Sequence, residues 1–388
     1  MIRVADRIGN LTPSMTFAIA DKAKRLKAEG YDVCDFSVGE PDFVTPAHIR
    51  EAAKAALDAG KTKYAPTAGL PELRDRIAAK LSIDNGLSYA SDQILVTTGG
   101  KQALYNSLMA ILNPGDEVVI PAPYWVTYPE IVKLAGATPV PLPTTAAADF
   151  KVSAQQLADA ITPRTRAMIL NSPANPTGTV YTRAELTALA EVVIDHELIV
   201  VADEIYEKLI YNGETHVSLA SLDPRLEAQT LTCNGFSKAY AATGWRLGYV
   251  AGPKAVIQAA KAIQSHSTSG ANTFAQYGAI TALTGPQEAI AQMRDTFRTR
   301  RDLIVAEVRS IPGIRCREPQ GAFYVFPDIS ATGLDSLTFC ERLLERKHVA
   351  AVPGVAFGAD AHIRLSYATD LATIRRGVAR LKDFVTSL

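Results

Sequence analysis

Ala167-Met-Ile-Leu-Asn171 and Leu198-Ile-Val-Val-Ala202 are two short apolar runs, each followed by polar residues. A continuous aliphatic run of this length suits a strand buried on both faces, as in a parallel sheet covered by helices. Working outward, Ile94-Leu-Val-Thr-Thr98, Glu117-Val-Val-Ile-Pro121 and Leu231-Thr-Cys-Asn-Gly235 repeat the pattern, with helical periodicity between them. The expected fold is therefore α/β, with a mostly parallel central sheet between helices. In open sheets of this kind ligands bind beyond the carboxyl ends of the strands, so the polar residues after each run are the first candidates for function.

Beyond residue 290 the pattern changes. A long charged helical stretch, Met293 to Arg309, leads into Phe323-Tyr-Val-Phe326 and an amphipathic segment near Leu337–Arg346. This reads as a smaller α+β domain over 290–388, with 46–289 as the large domain. The first 45 residues carry one helical pattern, Thr16 to Glu29, and the extended Val33-Cys-Asp-Phe-Ser37, and are expected to pack with the smaller domain. At 388 residues the chain exceeds the roughly 250–300 at which a single core stops growing, which agrees with two domains.

Forty basic side chains balance forty acidic ones, so no global field favours nucleic acid or an anionic membrane, and an anion site must be local. No apolar run approaches the roughly 18 residues of a membrane span. The charged start, Met1-Ile-Arg-Val-Ala-Asp6, does not read as a secretory signal, and a cytoplasmic location is expected. The four cysteines form no C-x-x-C pair and the six histidines no H-E-x-x-H, so no metal is expected.

The chemistry concentrates after the strands. Gly235-Phe-Ser-Lys-Ala-Tyr-Ala-Ala-Thr-Gly-Trp-Arg-Leu-Gly248 places Lys238 just beyond one strand, among small residues that let a bulky ligand approach, with Arg246 eight positions on. A lysine amine in such a pocket can form an imine with an aldehyde. Asn171-Ser-Pro-Ala-Asn-Pro-Thr-Gly178 and Asp203-Glu-Ile-Tyr206 precede this stretch in the chain, and His362-Ile-Arg-Leu-Ser366 follows it. Asp203, ending a buried strand, needs a cationic partner or else caps a helix. Thr98-Gly-Gly-Lys101 opens the helical Gln102–Ile111 and presents free N–H groups of Gly100 and Lys101 to an anion. Ser237 and Arg246 add a hydroxyl and a guanidinium fork. Trp125 offers a flat stacking face or fills a core at the domain junction.

Together these four motifs resemble the class I and II aminotransferases, over nearly the whole chain from about Pro13. The resemblance implies the fold type I of pyridoxal-phosphate-dependent transferases. It makes Lys238 the catalytic residue, anchoring pyridoxal 5′-phosphate as an imine and moving the substrate's Cα proton in a ping-pong exchange. It assigns the pyridine nitrogen to Asp203, the ring oxygen to Asn175 and Tyr206, the ring face to Trp125, and the phosphate to Gly100, Lys101, Ser237 and Arg246. Tyr64, from a partner subunit, completes the phosphate site and implies a homodimer with active sites at the interface. Arg364 and the N–H of Gly39 are implied to hold the substrate α-carboxylate, beside Trp125 and Asn175.

A bacterial and plant subgroup of the family reads the distal carboxylate with a lysine and a threonine, positions occupied here by Lys101 and Thr16. The implied reaction is L-aspartate plus 2-oxoglutarate giving oxaloacetate plus L-glutamate, with prephenate amination accompanying it in parts of the subgroup. Lys101 is equally readable as a phosphate counter-charge. An aromatic or alanine aminotransferase would share every cofactor residue, and a lyase on the same fold would use the same lysine without a 2-oxo acid.

Overall fold

The computed structural model describes residues 4–12 and 15–388; the side chains of Met15, Thr16 and Phe17 lie outside the described part. Its twelve strands are β1 (Cys34–Asp35), β2 (Ile94–Thr97), β3 (Glu117–Ala122), β4 (Thr138–Pro143), β5 (Thr165–Asn171), β6 (Ile199–Asp203), β7 (Thr230–Gly235), β8 (Gly248–Ala251), β9 (Tyr324–Val325), β10 (Val349–Ala350), β11 (Val352–Pro353) and β12 (Ile363–Ser366). Seven form one sheet in the order β2-β8-β7-β6-β5-β3-β4. Every neighbouring pair from β7 to β4 is parallel, and β8 runs antiparallel to both β2 and β7.

The continuous apolar runs are explained by burial on both faces. Val118, Ile120, Ile169 and Val201 pack with Leu104, Leu108 and Ile257 of the helices Gly100–Ile111 and Lys254–Ser265 on one side. The alternate residues Val119, Met168, Leu170 and Val200 pack with Leu186, Leu189 and Val193 of the helix Arg183–Asp195 on the other. The strand period of two therefore sends alternate side chains into two separate apolar layers. That helix begins with a capping box in which Thr182 and Glu185 satisfy each other's backbone N–H groups.

All five strands expected from the sequence are present, with ends displaced by a residue or two; β6, for instance, runs to Asp203 rather than Ala202. β4 and β8 were not expected. Three prolines alternate through Thr138-Pro-Val-Pro-Leu-Pro143, a composition compatible with a strand because β4 lies at the sheet edge and has one neighbour.

The C-terminal elements build a further apolar cluster on Phe297 of the helix Glu288–Arg309, Phe323, Phe339 and Phe384, which also takes in Tyr206, Leu209 and Tyr211 from the segment after β6. Cys34 and Phe36 belong to the same cluster, and β1 pairs in parallel with β10. β9, β11 and β12 form a three-stranded antiparallel sheet. Among the described residues no helix is long and apolar enough to cross a membrane.

Candidate active site

Parallel register brings the polar ends of β5, β6 and β7 side by side: Asn171 faces Asp203, which in turn faces Cys233. Above this edge lies a cavity of about 650 Å³. Its wall includes Gly39, Gly100, Lys101, Trp125, Asn175, Asp203, Tyr206, Ser237, Lys238, Arg246 and Arg364. Eleven candidates scattered from residue 39 to residue 364 thus meet in one space.

Asp203 is buried, 6% exposed. Tyr128 Oη donates to its Oδ2 at 2.7 Å and the Ile205 N–H to its Oδ1 at 3.2 Å. Burial nevertheless raises its pKa to about 6, against the effect of those two donors. A carboxylate held in this way lacks a full counter-charge, and a cation in the cavity would supply it. The Ile205 bond is a local turn contact: no helix begins at Asp203, so the helix-capping alternative does not hold.

Lys238 Nζ donates to the Gly39 carbonyl oxygen. Burial first, then the positive charges of Arg364 and Arg246, lower its pKa to about 8, with Glu40 and Asp203 pulling the other way. A much larger share of the amine is therefore in its nucleophilic free-base form near neutrality than for an ordinary lysine of pKa about 10.4.

The anion cradle is built by close approach. Gly99 has φ +80°, and a Cβ there would lie 2.5 Å from Arg246 Nη2. A Cβ on Gly248 would lie 2.5 Å from the Gly100 nitrogen. Both positions are thus confined to glycine, which brings the guanidinium against the first turn of the helix Gly100–Ile111. The first N–H groups of a helix have no intrahelical acceptor and favour an anion. Ser237 is buried at the same wall.

Arg364, 2% exposed, donates from Nη1 to Asn175 Oδ1 at 3.0 Å and from Nη2 to the Ser37 carbonyl at 2.7 Å, while its Nε has no acceptor. Its guanidinium lies 4.5 Å from the Tyr324 ring centroid and 5.2 Å from that of Phe357. The fork is thus held by aromatic faces and two neutral acceptors, with no carboxylate partner among the described residues. Tyr206 and Tyr324 share a hydroxyl contact of 2.8 Å. Lys101 Nζ lies 4.9 Å from the Trp125 ring, and burial followed by the charge of Arg246 lowers its pKa.

One candidate falls elsewhere, and one is not described. Tyr64 is 95% exposed and is not part of this chain's cavity wall, and the side chain of Thr16 lies outside the described residues. Sequence reasoning missed Tyr128, Tyr324 and Asn171. Of these only Asn171 carried a signal, as the polar residue ending β5. Among the described residues one trio, Glu204, Glu207 and His216, brings ligand atoms within 4.8 Å of one another. Lys80 already donates to Glu207 there, and His216 Nε2 lies 2.9 Å from Glu204 Oε2, so each carboxylate already has a partner within the protein.

The residues fit pyridoxal phosphate: an under-compensated acid for its ring nitrogen, an amine of lowered pKa for its aldehyde, and a glycine-lined helix terminus with an arginine for its phosphate. The sequence pattern of "Aminotransferase class I and II" matches residues 31–381. An aspartate aminotransferase of Geobacillus stearothermophilus is 49% identical over 389 residues, 99% of each chain. An aspartate/prephenate aminotransferase of Cereibacter sphaeroides is 48% identical over 399 residues, covering 100% of both. The solved structure of Thermus thermophilus aspartate aminotransferase with maleate superposes with a TM-score of 0.95 at 45% identity, over 99% of this chain and 100% of that one.

Proposed function

The chain belongs to the class I and II aminotransferases, and from that premise we propose that it uses pyridoxal phosphate to transfer the amino group of L-aspartate to 2-oxoglutarate, and that it also aminates prephenate. The observation that carries the reading is the opposed pair in one cavity: Asp203, its pKa raised to about 6, and Lys238, lowered to about 8. Displaced acid and base groups sharing a cleft mark a site of proton chemistry.

Bound pyridoxal phosphate would supply an electron sink for the pair left behind when the substrate's Cα proton departs. Asp203 would hold its ring nitrogen charged, Tyr206 and Asn175 its ring oxygen, Trp125 its face, and the backbone N–H groups of Gly100 and Lys101, with Ser237 and Arg246, its phosphate. Lys238 Nζ takes the Cα proton, with the Gly39 carbonyl accepting one of its N–H groups and so directing its lone pair. Arg364 clamps the α-carboxylate by two parallel N–H bonds and thereby fixes the Cα–H bond relative to the lysine.

Dicarboxylate specificity rests on Lys101, with Thr16, and is supported by the maleate, a four-carbon diacid, held by the Thermus thermophilus neighbour. The aspartate/prephenate relative supports the second acceptor. We take residues 46–289 as the large domain and 290–388, with 1–45 packed on it, as the small one, so that substrate lies at their junction. The exposure of Tyr64 supports a homodimer in which each Tyr64 serves the partner's phosphate site.

The test is a half-reaction. Holoenzyme given L-aspartate and no 2-oxo acid should lose the visible band of the lysine-bound cofactor and release one oxaloacetate per site; 2-oxoglutarate or prephenate should restore the band. A band indifferent to aspartate but bleached by phenylalanine or alanine would transfer the enzyme to those substrates.

A further inference from the structure

Residues 37–42 are anchored at both ends on C-terminal elements. At one end, the Phe36 N–H donates to the Ala350 carbonyl at 2.9 Å and the Ser366 N–H to the Phe36 carbonyl at 2.9 Å. At the other, Arg300 of the helix Glu288–Arg309 grips Asp42 through two bonds of 2.6 and 2.9 Å, its guanidinium lying over Phe43 and Phe297. Between the anchors the segment touches the loop after β7 twice. Gly39 accepts from Lys238, and Glu40 Oε2 accepts from Thr243 Oγ1 at 2.8 Å. Thr243 is also bound on its other side, where its carbonyl accepts from Arg246 Nη1 at 2.8 Å. When Lys238 is joined to the cofactor it can no longer serve Gly39 in the same way, and the Glu40–Thr243 bond is the contact that remains.

Resting on the function proposed above, we propose that Glu40 is a positioning residue: through Thr243 it docks the segment carrying Gly39 onto the loop carrying Lys238 and Arg246, and it adds a carboxylate to the wall of the cavity that holds the lysine nitrogen. Around that nitrogen stand Arg364 from β12, Arg246 and Glu40 from loops, Asp203 from β6 and the Tyr206 and Phe323 rings. Glu40 offsets the two arginines more strongly than Asp203 does. Its charge therefore favours the protonated form of the lysine–cofactor linkage, while its hydrogen bond sets the spacing between the α-carboxylate site and the lysine.

Three variants separate charge from bond. E40Q removes the charge but keeps an oxygen that can accept from Thr243; T243V keeps the charge and removes the bond; E40A removes both. The pH titration of the visible band should shift down by about half a pH unit in E40Q and E40A, the charge being exposed and screened, and by much less in T243V. KM for aspartate should rise about three- to tenfold in T243V and E40A, as expected for one lost hydrogen bond, and stay within about twofold in E40Q. An E40Q band that titrates like the wild type, together with an unchanged KM in E40A and T243V, overturns the role of Glu40 while leaving the aminotransferase reading intact. A wild-type protein that shows no visible band after incubation with pyridoxal phosphate overturns both.

Discussion

Replacing Arg364 by lysine keeps a positive charge and most of the side-chain length but removes the planar fork. In the resting site that fork already reaches Asn175 Oδ1 and the Ser37 carbonyl at once, 3.0 and 2.7 Å away. A single ammonium cannot hold both of these and a carboxylate in the same geometry. Each charge-assisted bond contributes about 1.5–3 kcal/mol. Losing one to the substrate and leaving a buried acceptor poorly served should cost about 2–4 kcal/mol, or roughly 30- to 1000-fold in kcat/KM. Initial rates of oxaloacetate release from R364K, over a range of aspartate concentrations, measure this directly. The loss should be similar for alanine, because the α-carboxylate is common to both substrates. Cofactor affinity should stay within about twofold, since the groups proposed to hold the cofactor's phosphate, around Gly100, Ser237 and Arg246, are left unchanged. A kcat/KM within threefold of wild type, or a variant that releases cofactor, would refute the assignment.

D203N should still bind cofactor through Lys238, yet its single-turnover rate with aspartate should fall by about two orders of magnitude, the loss expected when a charged bond of about 3 kcal/mol to the ring nitrogen disappears; stopped-flow bleaching of the visible band reads it, and a rate within fivefold of wild type would remove Asp203 from that role. K101S should weaken aspartate turnover about ten- to hundredfold and leave alanine turnover within about threefold, as expected for one lost charge-assisted bond to the distal carboxylate; equal losses in a substrate panel would return Lys101 to the role of phosphate counter-charge. Because the Lys238 pKa is lowered to about 8, capture of pyridoxal phosphate by cofactor-free protein should slow about tenfold per pH unit below that value and level off above it. A rate that keeps climbing toward pH 10 would show an ordinary, solvated lysine.

Much of this was legible in sequence because it is local. Strands buried on both faces announce themselves by unbroken apolar runs, and the ends of β5, β6 and β7 carry their polar residues in plain view. β4 was hidden by its prolines, which an edge position tolerates. β8 was hidden because its four residues follow directly on the lysine motif, and nothing in Gly248-Tyr-Val-Ala251 encodes that it runs antiparallel. Tyr128 and Tyr324 were missed for a different reason. Tyr128 meets Asp203 across 75 residues, and Tyr324 meets Tyr206 across 118. Such partners are set by packing rather than by spacing. Tyr64 shows the converse: its proposed role belongs to a second chain, so its own fold leaves it exposed. Glu40 is legible only once both of its neighbours are placed, because Thr243 lies 203 residues away.

The central claim is that Lys238 carries the cofactor. Incubating the protein with pyridoxal phosphate, reducing with borohydride and mapping the label by peptide mass tests it most directly. The account expects one label per chain, on the peptide containing Lys238, lost when aspartate converts the cofactor before reduction and absent from K238A. A label spread over surface lysines, or retained in K238A at full stoichiometry, would contradict it.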